Sequence, residues 1–135
     1  MFRTLEISAS GLMAQRTRVD VISGNIAHAQ TTLNEDGKPE PFQRRIVALA
    51  TQPKGDETGG QGVRAEIELD TETPFRKVYS PEHPHADKDG NVSYPNVNLI
   101  TEFVNALEAS RAYEANLSAI DVTKDMAENT FRILA

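Results

Sequence analysis

Apolar positions recur every seven residues at both ends of this chain and every two residues in its middle. From Leu5 one series runs through Leu12, Val19 and Ile26, and a companion row holds Ser8, Gln15, Ile22 and Ala29. Paired rows of this kind form the seam of a helix that packs along another helix. A second stripe, Ile7, Ala14 and Val21, falls nearly opposite the first. The carboxyl-terminal segment repeats the pattern. One row holds Phe103, Ser110, Leu117, Lys124 and Phe131, its partner holds Ala106, Tyr113, Ile120, Ala127 and Leu134, and a second face carries Ala112, Ala119, Met126 and Ile133. At ~1.5 Å per residue a helix over 99–134 is on the order of 50 Å long, so it is expected to project or to pair along its length.

Two long terminal helices with matching seams predict an antiparallel or near-parallel pair, each lending one stripe to the other. The second faces then need cover. A three- or four-helix bundle would supply it from the middle of the chain, but that region shows no long helical period. Neighbouring copies are the expected cover, through contacts that propagate into a filament or tube. Ser8, Ser10, Gly11, Ser23 and Gly24 are weak helix formers, so packing rather than propensity is expected to hold the first helix.

All seven prolines and six of the eight glycines lie between Leu33 and Pro95. The middle is punctuated and the ends are continuous. Val63, Ala65, Ile67 and Leu69 alternate with Arg64, Glu66, Glu68 and Asp70, which predicts a half-buried strand with one wet face. Residues 42–51 predict another strand, although so short an apolar run also permits a helix. Residues 75–79 and 91–94 are weaker strand candidates. Asn34-Glu35-Asp36-Gly37 and Asp87-Lys88-Asp89-Gly90 carry turn chemistry, and residues 53–62 read as a poorly ordered loop. The expected fold is mainly α with a small β unit, divided at 1–32, 33–98 and 99–135.

Composition narrows the function classes. The chain has 135 residues, a formal charge of −6, 39% hydrophobic residues and no cysteine. That leaves a modest core, disfavours capture of nucleic acid or anionic lipid, and excludes disulfides, thiol nucleophiles and thiolate metal sites. No apolar run approaches the roughly 20 residues of a bilayer span. Glu6 and the helical periodicity of the first residues argue against a cleavable secretory signal.

Chemistry-bearing residues are sparse. His83, His85, Asp87 and Asp89 cluster, but their spacing matches no strong metal motif, and the Asp87–Asn91 stretch lacks the acids of a calcium loop. Ser80 near His83 has no nucleophile elbow, and Gly59-Gly60-Gln61-Gly62 is not followed by the lysine and helix of a phosphate loop. The expectation is a non-enzyme with no cofactor, metal or small-molecule substrate. Arg44 and Arg45 beside Phe42 could grip an acidic partner, or simply end an exposed strand.

SGLMAQRTRVDVISGNIAHAQTT, residues 10–32, resembles the amino-terminal motif of the flagellar axial proteins, with Gly11, Gln15, Arg16 and Asn25 at its motif positions and His28 where the family carries Asn. YSPEHPHADKDGNVSYPNVN followed by the terminal helix resembles the proximal-rod branch of that family through Pro95, Asn96 and Asn98. Together the two stretches span about half the chain. The resemblance implies a rod subunit of the flagellar basal body, exported into the periplasm without signal cleavage. It implies paired terminal helices lining the inner tube and disordered in the free monomer, with the histidine loop as a structural connector. Implied partners are copies of the chain, sister rod proteins, the adaptor joining the rod to the MS ring, and the flagellar type III export apparatus. Two rival readings are a sister rod or hook-type subunit, and a small metal-dependent enzyme using His83 and His85.

Overall fold

The computed structural model describes residues 2–34, 36–52 and 61–134, the side chains of Phe2 and Leu134 excepted. Most of the predicted loop at 53–62 therefore lies outside the described residues. Six elements follow in order: α1 (Phe2–Ala27), β1 (Arg45–Gln52), β2 (Gly62–Leu69), β3 (Arg76–Tyr79), β4 (Asn91–Tyr94) and α2 (Leu99–Leu134). Two long helices enclose two antiparallel hairpins, β1-β2 and β3-β4. The fold is mainly α with a small β unit, as the periodicities require.

The helices run antiparallel. Asn25 meets Glu102, Arg18 pairs with Glu108 at 3.1 Å, and the Gly11 Cα faces the Asn116 amide. Steps back along α1 thus match steps forward along α2. Going nine residues further back, from Gly11 to Phe2, reaches a point opposite about residue 125 of α2. The last turns of α2 extend past the start of α1.

α2 begins cleanly because Asn98 caps it: its Oδ1 accepts the backbone N–H groups of Ile100 (3.0 Å) and Thr101 (3.3 Å). That side chain meets donors that the first helical turn leaves without partners. In the β3-β4 hairpin, Arg76 lies opposite Tyr94 and stacks its guanidinium on the ring. Gly90 closes the intervening loop at φ +77°, where a side chain would strike Tyr79 and Pro81. Asp87 Oδ1 accepts the N–H groups of Asp89 and Asn91, and the predicted Asn34 turn closes the same way on Asp36 and Lys38 through Gly37 at φ +73°.

The β1-β2 hairpin lies against α1, where the Val63 N–H donates to Ser10 Oγ at 2.9 Å and Gly62 lets the strand approach that serine. Its register pairs Val47 with Ile67, Leu49 with Ala65 and Arg45 with Leu69, so these six share one face. Leu49, Ile67 and Leu69 are about half exposed on that face. The expected half-buried apolar side therefore holds at Val63 and Ala65 but not at Ile67 and Leu69, each 55% exposed. β1 also starts later than the predicted strand at 42–51, because Phe42 turns away to stack on His28 at 4.8 Å.

Candidate assembly interface

The ends of α1, α2, β1 and β2 converge on a buried polar knot. Asn25 is 1% exposed, and its amide copies a neighbouring strand: Nδ2 donates to the Arg45 carbonyl at 2.8 Å while Oδ1 accepts the Arg45 N–H at 2.9 Å. The same Nδ2 also donates to Glu102 Oε2 at 3.3 Å. Glu102, equally buried, takes Arg44 on its other oxygen, with Nε at 2.9 Å and Nη2 at 2.6 Å. Arg44 Nη1 reaches Asp70 Oδ2 at 3.4 Å, and the Asp70 N–H donates to the Arg44 carbonyl.

Charge-assisted bonds of this kind make burial of the carboxylates tolerable. Burial works against the Arg44 charge, but the bonds and fields of Glu102 and Asp70 outweigh it and raise the guanidinium pKa. Asp70 is held below the ordinary aspartate range, first by the Thr73 hydroxyl and backbone N–H and then by Arg44. Arg44 is thus spent inside the chain on Glu102 and Asp70, which is neither the grip on an outside acidic partner nor the simple exposed strand end that the sequence left open. Arg45 rests its guanidinium on the Phe42 ring.

The histidine loop is tied back to the segment that follows α1. Thr32 Oγ1 and His85 Nδ1 lie 2.9 Å apart, the His85 N–H donates to His83 Nδ1, and the His83 ring packs edge-on against His85 and Tyr94. The loop so joins the exit of α1 to the hairpin that leads into α2, with Val92 and Pro95 buried beneath it. Among the described residues, no group of three or more His, Cys, Asp or Glu side chains could hold a metal ion. None of the described helices is long and apolar enough to cross a membrane.

The seam between the helices is rotated from the predicted one. On α1 its centre holds Ser8, Gly11, Gln15, Arg18, Ile22 and Asn25, while Leu5, Leu12, Val19 and Ile26 sit half-buried along its flank. Gln15 Oε1 is buried there without a hydrogen-bond partner among the described residues. Among the described side chains of α2 the covered positions are Glu102, Asn105, Ala106, Ala109, Ala112, Asn116, Ile120, Thr123 and Ala127. Phe103, Leu117 and Phe131, expected in the seam, stand 57%, 45% and 69% exposed, and Tyr113 lies at its edge.

The cause is steric and polar together. Gly11 and the fully buried Ala109 let the backbones approach closely, and the Glu102 knot fixes the helix rotation. Large side chains at those positions would hold the helices apart. Leu134 lies outside the described side chains.

The second faces divide. On α1, Ala14 is buried and Ile7 and Val21 are half-buried within the chain, because the β1-β2 hairpin already covers much of this side. This corrects the expectation that only neighbouring copies cover it. On α2, Ala112 is half-buried whereas Ala119, Met126 and Ile133 are exposed.

The outer surface of α2 holds a stripe of Ile100, Phe103, Val104 and Leu107, all exposed, of which the sequence reading places Phe103 in the seam and passes over the other three. Its i, i+3, i+4, i+7 spacing was there to be read. Nothing local announced Glu102 or Asp70. An acid in a first helical turn looks like ordinary dipole compensation.

Residues 5–32 match the family described as flagella basal body rod protein, and residues 88–133 match the flagellar basal body rod FlgEFG protein C-terminal family. Flagellar basal-body rod protein FlgC of Borreliella burgdorferi is 43% identical, the match covering 99% of this chain and 97% of the relative. The proteins of the same name from Bacillus subtilis and Salmonella typhimurium are each 34% identical, over 98% of this chain and 97% of each relative.

Proposed function

We propose that this chain, which belongs to the FlgC family of flagellar basal-body rod proteins, acts mechanically, by polymerising into the hollow, torque-transmitting proximal rod. The family is one of structural rod subunits, not of enzymes. Its place is the flagellum, and the finer reading puts the subunit in the periplasm after export through the flagellar type III apparatus without signal cleavage. Copies of the chain, sister rod proteins and the adaptor to the MS ring are its proposed neighbours.

One observation supports this most directly. With the seam filled and α1 largely enclosed, α2 still presents Ile100, Phe103, Val104 and Leu107 to the outside. Burial of such side chains between subunits contributes roughly 25 cal/mol per Å² of apolar area. Repeated over many contacts, that cohesion gives a stiff shaft. Motif positions such as Gln15, Arg16, Asn96 and Asn98 belong to the proposed packing surfaces, with polar residues of the helices setting register.

Phe103→Asp separates folding from assembly, because the side chain is already exposed in the isolated subunit. Its circular dichroism and urea midpoint are expected to match the parent. Cells carrying it as their sole copy should make the protein, form no complete rods in electron micrographs, and fail to swim. Normal rods in that strain would sink the assignment of this stripe to assembly.

A further inference from the structure

The histidine loop contains a hydrogen bond that acid must break. The amides that shape this loop end on main-chain carbonyls or on the Asp87 carboxylate. The Ser80 N–H donates to Gly90, those of His83 and Ala86 to Ser80 and His83, and those of Asp87 and Gly90 to Asn91 and Asp87, while Asp89 and Asn91 donate to Asp87 Oδ1. His85 is the exception among the described loop residues: its N–H donates to the His83 ring at Nδ1, 3.1 Å away. A backbone N–H can only donate, so this Nδ1 is a bare acceptor and the ring is neutral, with its hydrogen on Nε2.

An imidazolium carries a hydrogen on both nitrogens, so a proton on His83 sets donor against donor. His85 tolerates the same proton. Its Nδ1 lies 2.9 Å from Thr32 Oγ1, and a hydroxyl both donates and accepts, so that link survives by exchanging roles. The surroundings sharpen the difference. The two half-buried rings lie 5.1 Å apart, and Arg76 of β3 rests its guanidinium on the Tyr94 ring that His83 meets edge-on at 6.5 Å, so a charge on His83 joins cations already there. Tyr79, also of β3, lies against Gly90. From the segment after α1 the titratable neighbour is His28, whose Nδ1 is 3.2 Å from Thr31 Oγ1. On the loop itself Glu82, Lys88 and Asp89 are exposed, and Asp87 Oδ1 is occupied by its two amides.

We propose that His83 is the proton-sensitive pin of a clasp. Neutral, it shapes the loop so that His85 meets Thr32 and ties the exit of α1 to the β3-β4 hairpin; protonated, it releases the loop and the tie with it. The clasp is closed in neutral and alkaline solution and opens on acidification across about pH 8 to 5, the span in which histidine is the side chain that ordinarily changes charge. The hairpin leads into α2 through Pro95 and Asn98, so acid loosens the connection between the two long helices at this end. The Glu102 knot, which contains no histidine, stays in place. This is a property of the single chain and does not depend on assembly.

NMR on the isotope-labelled full chain tests it. At the alkaline end of that span the His83 ring should carry its hydrogen on Nε2 alone, and a scalar coupling should connect the His85 amide nitrogen to His83 Nδ1 across the hydrogen bond. Acidification should abolish the coupling and move the His85 and Thr32 amide signals together, reversibly, while the Asn25 side-chain signals hold still. His83→Asn keeps an acceptor oxygen near the Nδ1 position and does not titrate, so its Thr32 signal should keep the high-pH position throughout. His85→Asn retains the backbone donor and should retain both the coupling and its loss in acid.

A His83 ring already protonated on Nδ1 in alkaline solution, a coupling that persists in acid, or a Thr32 signal that titrates unchanged in His83→Asn would each overturn the clasp. Should His83→Asn lose helicity by circular dichroism, the coupling in the parent and in His85→Asn decides alone.

Discussion

A carboxylate as buried as that of Glu102 persists only where its charge is met from several sides, and here Arg44 and Asn25 meet it. Glu102→Leu is therefore expected to lower stability by about 3 kcal/mol, the low end for a broken buried pair because Arg44 is a quarter exposed. Glu102→Gln, which keeps one oxygen for Arg44, should cost about half as much. Urea midpoints measure both. Gln15→Leu should move the other way by about 1 kcal/mol, since it removes a buried acceptor that has no partner among the described residues.

Asp70 sets a pH limit on the same knot. Its folded pKa is depressed, chiefly by Thr73, so its contribution is present above the ordinary aspartate value of about 4 and is lost as pH falls through the lower folded value. Asp70→Asn should flatten that acid limb of the urea midpoint while leaving the neutral-pH slope unchanged. The knot was barely legible beforehand. Asn25 stood out as a motif position, but its partner Glu102 lies 77 residues away, and Arg44 lies 58 from Glu102 and 26 from Asp70. Local patterns cannot report pairings that only the fold creates.

Elements were more legible than their rotation. Heptad rows placed both helices and alternation placed β2, because these are local backbone properties, while the other three strands fall on segments that the pattern marked more weakly, the first of them also open to a helix. Which side of α2 faces α1 is decided instead by close approach. A Cβ on Gly11 would sit 3.0 Å from the Asn116 amide, whose Nδ2 donates to the Ala112 carbonyl.

Gly11→Ala gains about 1 kcal/mol of helix propensity and gives up about as much by displacing Asn116, so it should be near neutral. Gly11→Leu cannot be absorbed this way and should lose about 1–3 kcal/mol. Adding Asn116→Ala should recover part of that loss, a coupling that a double-mutant cycle reads directly. Additive effects would mean the helices do not approach at this point. The same reasoning explains why Phe103 and Leu117 were misplaced: hydrophobic rows rank positions by greasiness, whereas a close helix pair selects small side chains, leaving the large ones for outside.

For the whole molecule, protection is distributed unevenly along α2. Its first half is capped by Asn98, pinned by Glu102 and packed through Ala109, whereas its second half leans on little beyond α1 and then on nothing described. Ser118, Thr123 and Thr130 each donate to the carbonyl four residues back, which slightly weakens the helix in that half. Local opening should therefore cost far less beyond residue 123 than between 98 and 116.

Hydrogen exchange on the isolated chain should show that gradient, with distal amides exchanging orders of magnitude faster than those near Glu102. Assembly should erase it on the proposed reading, in which neighbouring subunits cover the exposed Phe131 and Ile133. A monomer whose distal amides are as slow as those near Glu102 would mean that α2 is complete alone, and the case for a shaft held together by unfinished helices would fail with it.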